Sequence, residues 1–245
     1  MLKAAIERIL SLSEPHILTV NNEQYTDREL TRVPRTLRAE PLEVHTLSAL
    51  VNYIEAGCDD NAEQTDIDRR FVVHIQDYNQ VYLTREVDED RRREVLLKAV
   101  DHTATFSFGR WMDIESFIIA LQAFFTPDYI VGELIKIVSN VTDSNSVQRS
   151  DDGLTQSVIA KTGIVTSAKV NLPNPVELHP LCTFSDIPQP ARSFIFRLRS
   201  GESGVSAALF EADGNTWKKQ SIEAIAFYFE STIPEELKDD VIILA

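Results

Sequence analysis

Residues 113–141, DIESFIIALQAFFTPDYIVGELIKIVSNV, decide the reading of the fold. Asp113 stands as an N-cap ahead of Phe117, Ile118, Leu121, Phe124 and Phe125, which form one broad apolar stripe at helical spacing. Thr126-Pro127 restarts the chain, because proline is tolerated at a helix's first position and disfavoured inside it. Ile130, Val131, Leu134, Ile137, Val138 and Val141 then make a second stripe. The spacing predicts a bent or antiparallel helix pair packed on a sheet.

Upstream, Leu2, Ile6, Ile9 and Leu10 predict a short amphipathic helix over 1–12, followed by a polar, proline-punctuated stretch through Pro34 and Pro41. Thr46 is placed to cap a helix carrying Leu47, Leu50, Val51 and Ile54, with Gly57 just past its end. Cys58 to Asp68 holds five acids and reads as an exposed loop. Strands are expected over 71–75, 81–87 and 94–100, the first two joined by the turn formers of 76–80. Arg91, Arg92 and Arg93 sit beside the acids of 88–90 and read as a hairpin tip with local ion pairs.

Downstream, the polar run 142–153 reads as a linker or loop. Strands follow over 156–169, 176–181, 193–199 and 205–212, with breaks at 171–175 and 187–190. In 193–199, Phe194, Phe196 and Leu198 alternate with Ser193, Ile195, Arg197 and Arg199, the period of a sheet with one buried face. Residues 201–204 fit a hairpin loop, and a helix over 216–232 brings Trp217, Ile222, Ile225, Ala226 and Phe229 to cover the sheet. The class is α+β: mainly antiparallel sheets, a central helix pair and a C-terminal covering helix. A division into 1–145 and 146–245 is expected, or else one continuous domain.

The net charge of −14, from 38 acids against 24 basic residues, repels phosphate at long range, so direct nucleic-acid binding is not expected. Its reading is solubility, with mimicry of a nucleic acid as the sharper alternative. Cys58 and Cys182 are the only cysteines and form no C-x-x-C pair, which suits a reducing cytosol. No segment has the ~20 apolar residues a membrane span needs.

The histidines at 16, 45, 74, 102 and 179 never fall in an H-x-x-x-H or H-E-x-x-H pattern. His179 and Cys182 have half-site spacing, but zinc wants three or four ligands, so a turn is the expected reading. Cys58 beside Asp59 and Asp60 would have its thiolate disfavoured by their charge. With eight glycines and neither G-x-G-x-x-G nor a Walker loop, a phosphate cradle is disfavoured. No catalytic residue, metal ligand set or cofactor motif is assigned. Glu211 and Asp213 at a strand end, with Lys218 and Lys219 following, form the best enzymatic candidate, a metal-dependent nuclease. Alternation puts both acids on one strand face, which is equally what a solvated strand end does. Arg197 and Arg199, opposite the phenylalanines, are candidate anion-binding residues.

The order of elements, with Asp152-Gly153-Leu154-Thr155-Gln156, Thr162-Gly163-Ile164, Pro173-Asn174-Pro175-Val176-Glu177-Leu178, Ser193 to Arg199, Leu209-Phe210-Glu211 and Trp217, resembles the YfdQ-like proteins of prophages and tailed phages, a family of unknown function. The N-terminal half fits more loosely, through the helix 47–54, a hairpin, Trp111 and the Phe-rich helix 117–125. Loop lengths and the 211–217 turn depart from the family pattern. The resemblance implies a phage origin and expression in bacterial cytoplasm, and carries over no active-site residues. The function expected is that of a non-enzymatic accessory protein acting by self-assembly as a homo-oligomer or by binding a host protein. The alternatives are an acidic inhibitor of a host defence or repair enzyme and the nuclease-like enzyme.

Overall fold

The computed structural model describes residues 17–20, 23–26, 40–57, 70–87, 91–142, 147–151, 155–160, 170–201 and 204–245. The chain forms two compact units, 1–38 and 39–245. In the first, β1 (Ile17–Val20) and β2 (Glu23–Thr26) pair antiparallel, from Ile17↔Thr26 to Val20↔Glu23. The helix expected over 1–12 and the acidic loop from Cys58 lie outside the described residues.

The second unit runs β3 (Leu42–Val44), α1 (Leu47–Glu55), β4 (Phe71–Asp77), β5 (Gln80–Arg85), β6 (Val95–Val100), β7 (Met112–Asp113), α2 (Ile114–Phe124) and α3 (Tyr129–Thr142). It continues with β8 (Val147–Asp151), β9 (Thr155–Ala160), β10 (Val170–Pro173), β11 (Val176–Leu178), β12 (Arg192–Gly201), β13 (Gly204–Glu211), α4 (Thr216–Thr232), a 3-10 turn (Glu235–Asp240) and β14 (Val241–Leu244). Among the described residues, three sheets result, in the orders β10-β9-β8, β11-β12-β13-β7 and β14-β4-β5-β6-β3. Pairing is antiparallel except for β14 with β4 and β3 with β6, which are parallel. The protein is therefore α+β with mostly antiparallel sheets, a central helix pair and a C-terminal helix.

The helix pair is capped by its own sequence. Asp113 Oδ1 accepts from Ser116 N at 3.0 Å, and hydrogen bonding from the Ser116 side chain, then from its amide, holds the Asp113 carboxyl below the usual carboxylate range. The break at Pro127 is completed by Asp128, whose Oδ1 accepts from Val131 N at 2.7 Å. Proline thus precedes the cap of α3 instead of opening the helix. The apolar stripes of α2 and α3, with Phe117, Leu121, Leu134 and Val138 fully or almost fully buried, pack on Val176, Leu178, Phe194, Phe196, Leu198, Ala207 and Leu209. Each buried Phe or Leu of this kind is worth about 1.5–3 kcal/mol of apolar transfer.

A second core lies on the five-stranded sheet. Leu47, Leu50, Val51 and Ile54 of α1, with Ile225 and Phe229 of α4, cover Phe71, Val73, Ile75, Val81, Leu83, Leu97 and Ala99. The two cores draw alternately on the chain. Residues 106–138 and 176–209 build the first, whereas 47–99, Phe184, Ile187 and 225–233 build the second. Both cores draw on residues from either side of 145/146, and the compact units divide at Arg38/Ala39.

Several local expectations change. Thr46 makes no side-chain cap; instead the Asp186 carboxylate accepts from Leu47 N at 3.0 Å and Ser48 N at 3.1 Å. That loop is held by Gln189, whose Oε1 accepts from Cys182 N and Thr183 N while Nε2 donates to the carbonyls of Thr183 and Phe184. The polar run 142–153 includes β8, which pairs with β9 from Val147↔Ala160 to Asp151↔Gln156, because ladder bonds need only backbone. Residues 170–173 pair with β9, so the break near 171–175 shrinks to the region of Asn174-Pro175. The strand expected over 176–181 ends at Leu178, before Pro180, which has no N–H to pair.

Candidate functional site

The β12–β13 hairpin and the turn after it carry all four sequence candidates and sort them by face. Pairing runs from Phe194↔Glu211 to Gly201↔Gly204. Along β12, Arg192, Phe194, Phe196 and Leu198 are buried, while Ser193, Ile195 and Arg197 are half-buried and Arg199 is exposed. The alternation expected from the sequence is therefore present, with one addition: its first buried position is an arginine.

Arg192 is only 2% exposed. Its Nε donates to Asp213 Oδ2 at 2.7 Å and its Nη2 to Glu211 Oε1. Three rings surround the guanidinium, with Trp217 at 4.4 Å and Phe108 and Phe194 at 5.2 Å from Cζ. Burial opposes the charge on Arg192, and the bonds to Asp213 and Glu211 outweigh it, so its pKa is raised. Burial likewise pushes the Asp213 carboxyl up, and Arg192 overrides this to hold it below the usual range. Asp213 also shapes the turn into α4: Asn215 N donates to its Oδ1 and Thr216 Oγ1 to its carbonyl, with Gly214 and Asn215 both at positive φ.

This geometry reassigns the acidic pair. Glu211 and Asp213 do lie together, as alternation requires, but they converge on Arg192. A divalent cation there would have to displace a buried guanidinium. The lysines point elsewhere: Lys218 Nζ sits 5.1 Å from the Tyr78 ring centroid and Lys219 Nζ is 3.5 Å from Glu223 Oε1. Arg192 carried no signal in the sequence, since it stands just ahead of the alternating segment.

Arg197 and Arg199 occupy the opposite face of the hairpin, with Arg197 Nη1 donating to Phe196 O at 3.3 Å. Arg199 Cζ lies 4.4 Å over the Trp111 ring, whose edge meets Phe210 at 5.9 Å between centroids. This outer face also carries Glu177, opposite Ser193 on β11. Arginine, tryptophan and phenylalanine thus share one partly solvated patch on the side away from α2 and α3.

His179 and Cys182 sit in different surroundings. His179 Nδ1 lies 3.4 Å from Asp128 Oδ2, and Cys182 is buried, its thiol pushed up to about 12 by burial. Among the described residues, three potential ligands do converge elsewhere: Glu43, His45 and His102 each bring a ligating atom within 4.8 Å of the others. The histidines are far apart in sequence, so only the parallel pairing of β3 and β6 unites them.

No family model matches the chain, and no curated protein and no solved structure matches it either. No described helix is long and apolar enough to cross a membrane.

Proposed function

We propose that the protein works by binding, as a self-assembling or partner-binding accessory protein, through the outer face of the β12–β13 hairpin. The observation that carries this reading is the Arg199–Trp111–Phe210 cluster on a sheet face turned away from the helix pair. Tryptophan, tyrosine and arginine dominate the energetics of protein interfaces, because they bring large area and directional polar contacts together. A patch with Arg197 and Arg199 on a chain of net charge −14 is complementary to the acidic remainder of a second copy. A homo-oligomer in which this patch meets an acidic surface is the arrangement we favour. The resemblance to YfdQ-like proteins and the sparse cysteines support a phage or prophage setting in bacterial cytoplasm.

Native mass spectrometry of the full chain tests the reading. The expected result is a defined homo-oligomer, or a complex with a host protein, that Arg199→Glu and Trp111→Ala disperse while the fold persists. A monomer with no added mass at every concentration would sink it. So would Mg²⁺-dependent cleavage of nucleic acid abolished by Glu211→Ala, which would restore the nuclease reading. Salt-sensitive capture of one basic host enzyme, with the patch variants unaffected, would favour the acidic-inhibitor reading instead.

A further inference from the structure

The C-terminal ends of β3 and β6 lie side by side, in the parallel register Leu42↔Leu97, Glu43↔Lys98 and Val44↔Ala99. Leu97 and Ala99 face the core, so Glu43 and Lys98 belong to the other face. Glu43 and Lys98 therefore share one side of the strand pair, and His45 and His102 stand just past the ends of β3 and β6.

The atoms agree. The His45 and His102 rings meet edge to face at 4.6 Å between centroids. His102 Nε2 lies 3.5 Å from Glu43 Oε1, and all three residues are exposed. His45 Nδ1 lies 3.2 Å from the carbonyl of Val100. A carbonyl oxygen can only accept, so Nδ1 carries the proton. In a neutral ring this leaves Nε2 with a lone pair for a ligand, the arrangement that orients metal-bound histidines. Lys98 Nζ lies 3.6 Å from Glu43 Oε2, which leaves Oε1 as the oxygen turned to the histidines.

The geometry points to a site for one divalent first-row transition ion, held by His45, His102 and Glu43. Two imidazole nitrogens and one carboxylate suit Zn²⁺, Ni²⁺ or Cu²⁺, whereas Mg²⁺ and Ca²⁺ take oxygen donors. Ligand distances of about 2.0–2.2 Å require donor atoms roughly 3.3–3.6 Å apart in a tetrahedron. The three groups, all within 4.8 Å, must therefore draw together by about an ångström, which surface side chains do by rotamer adjustment. Three protein ligands leave a further position for water or for a group on another molecule. The site stands apart from the hairpin patch, and its test is independent of that reading.

The test uses the full, tag-free chain, stripped with chelator and titrated calorimetrically with Zn²⁺ in excess Mg²⁺. One saturable equivalent is expected. Loss of an outer hydrogen-bond partner alone weakens metal sites 10–100-fold, so His45→Ala and His102→Ala should each weaken Zn²⁺ binding at least about tenfold. His74→Ala and His179→Ala should leave it unchanged. With Cu²⁺ as probe, paramagnetic resonance should show two coordinated nitrogens, and one fewer in His102→Ala. A urea midpoint equal to that of the parent keeps the variants interpretable. Absence of saturable Zn²⁺ binding, displacement by Mg²⁺, or undiminished affinity in the His45→Ala/His102→Ala double variant would each overturn the proposal.

Discussion

Replacing Arg192 by methionine removes the cation and keeps an unbranched side chain of similar reach among Trp217, Phe108 and Phe194. Asp213, whose side chain is only 8% exposed, then loses its strongest partner. Removing one member of a buried ion pair costs about 3–5 kcal/mol, because the other charge stays desolvated. Asp213 keeps the amide of Asn215 at 3.1 Å, which places Arg192→Met near the lower end, about 3 kcal/mol. With a urea slope of roughly 2–3 kcal/mol/M, the midpoint should fall by about 1–1.5 M. Glu211→Gln should cost about 1 kcal/mol or less, since Glu211 is half-exposed and solvent screens it. The pH dependence has a definite sign. Asp213 is held below its ordinary value in the fold, so its contribution is complete above about pH 4 and lost as pH falls through the folded-state value. In Arg192→Met the burial that raises this carboxyl is no longer outweighed, and the deficit against the parent should narrow in acid. The reasoning fails if Arg192→Met unfolds within about 0.5 kcal/mol of the parent at pH 7. It fails equally if Arg192→Met/Asp213→Asn is no more stable than Arg192→Met alone, since removing both charges should relieve the stranded one.

Asp186→Ala should destabilise by about 1–2 kcal/mol in urea unfolding through loss of the bonds to Leu47 N and Ser48 N, whereas Thr46→Ala, at a position without a side-chain cap, should change stability by a few tenths. In a Cys58→Ser background, Cys182 should react with an aromatic disulfide reagent at pH 8 only after urea is added, because burial keeps its thiol protonated up to about 12; rapid native labelling would contradict the buried placement. Phe117→Ala should cost about 3–5 kcal/mol by opening a cavity under α2, measured as a fall in urea midpoint, because its side chain is fully buried against Phe106 and Phe196.

Elements with a strong internal period were readable from the chain. The stripes from Phe117 to Val141 set out α2 and α3, the alternation after Ser193 set out β12, and the apolar positions after Trp217 set out α4. Asp113 was legible as a cap because its partner, Ser116, is three residues away. Strands without that period were harder. The polar β8 and the three-residue β3 exist because a neighbour completes their ladders, and β14 likewise depends on β4.

The candidate site divides along the same line. Alternation alone put Arg197 and Arg199 opposite Phe194 and Phe196, and placed Glu211 and Asp213 near one another. What the acids face depends on where Arg192 stands across the hairpin. Asp186 reaches α1 from 139 residues away, and His45 meets His102 only through the register of β3 on β6. Local period alone set out α1, α2, α3, α4 and β12 with their buried sides, because a side chain's face follows from the local backbone period. The partners of Arg192, Asp186, His45 and His102 come from the tertiary fold, because those contacts depend on register and chain return, which no local period encodes.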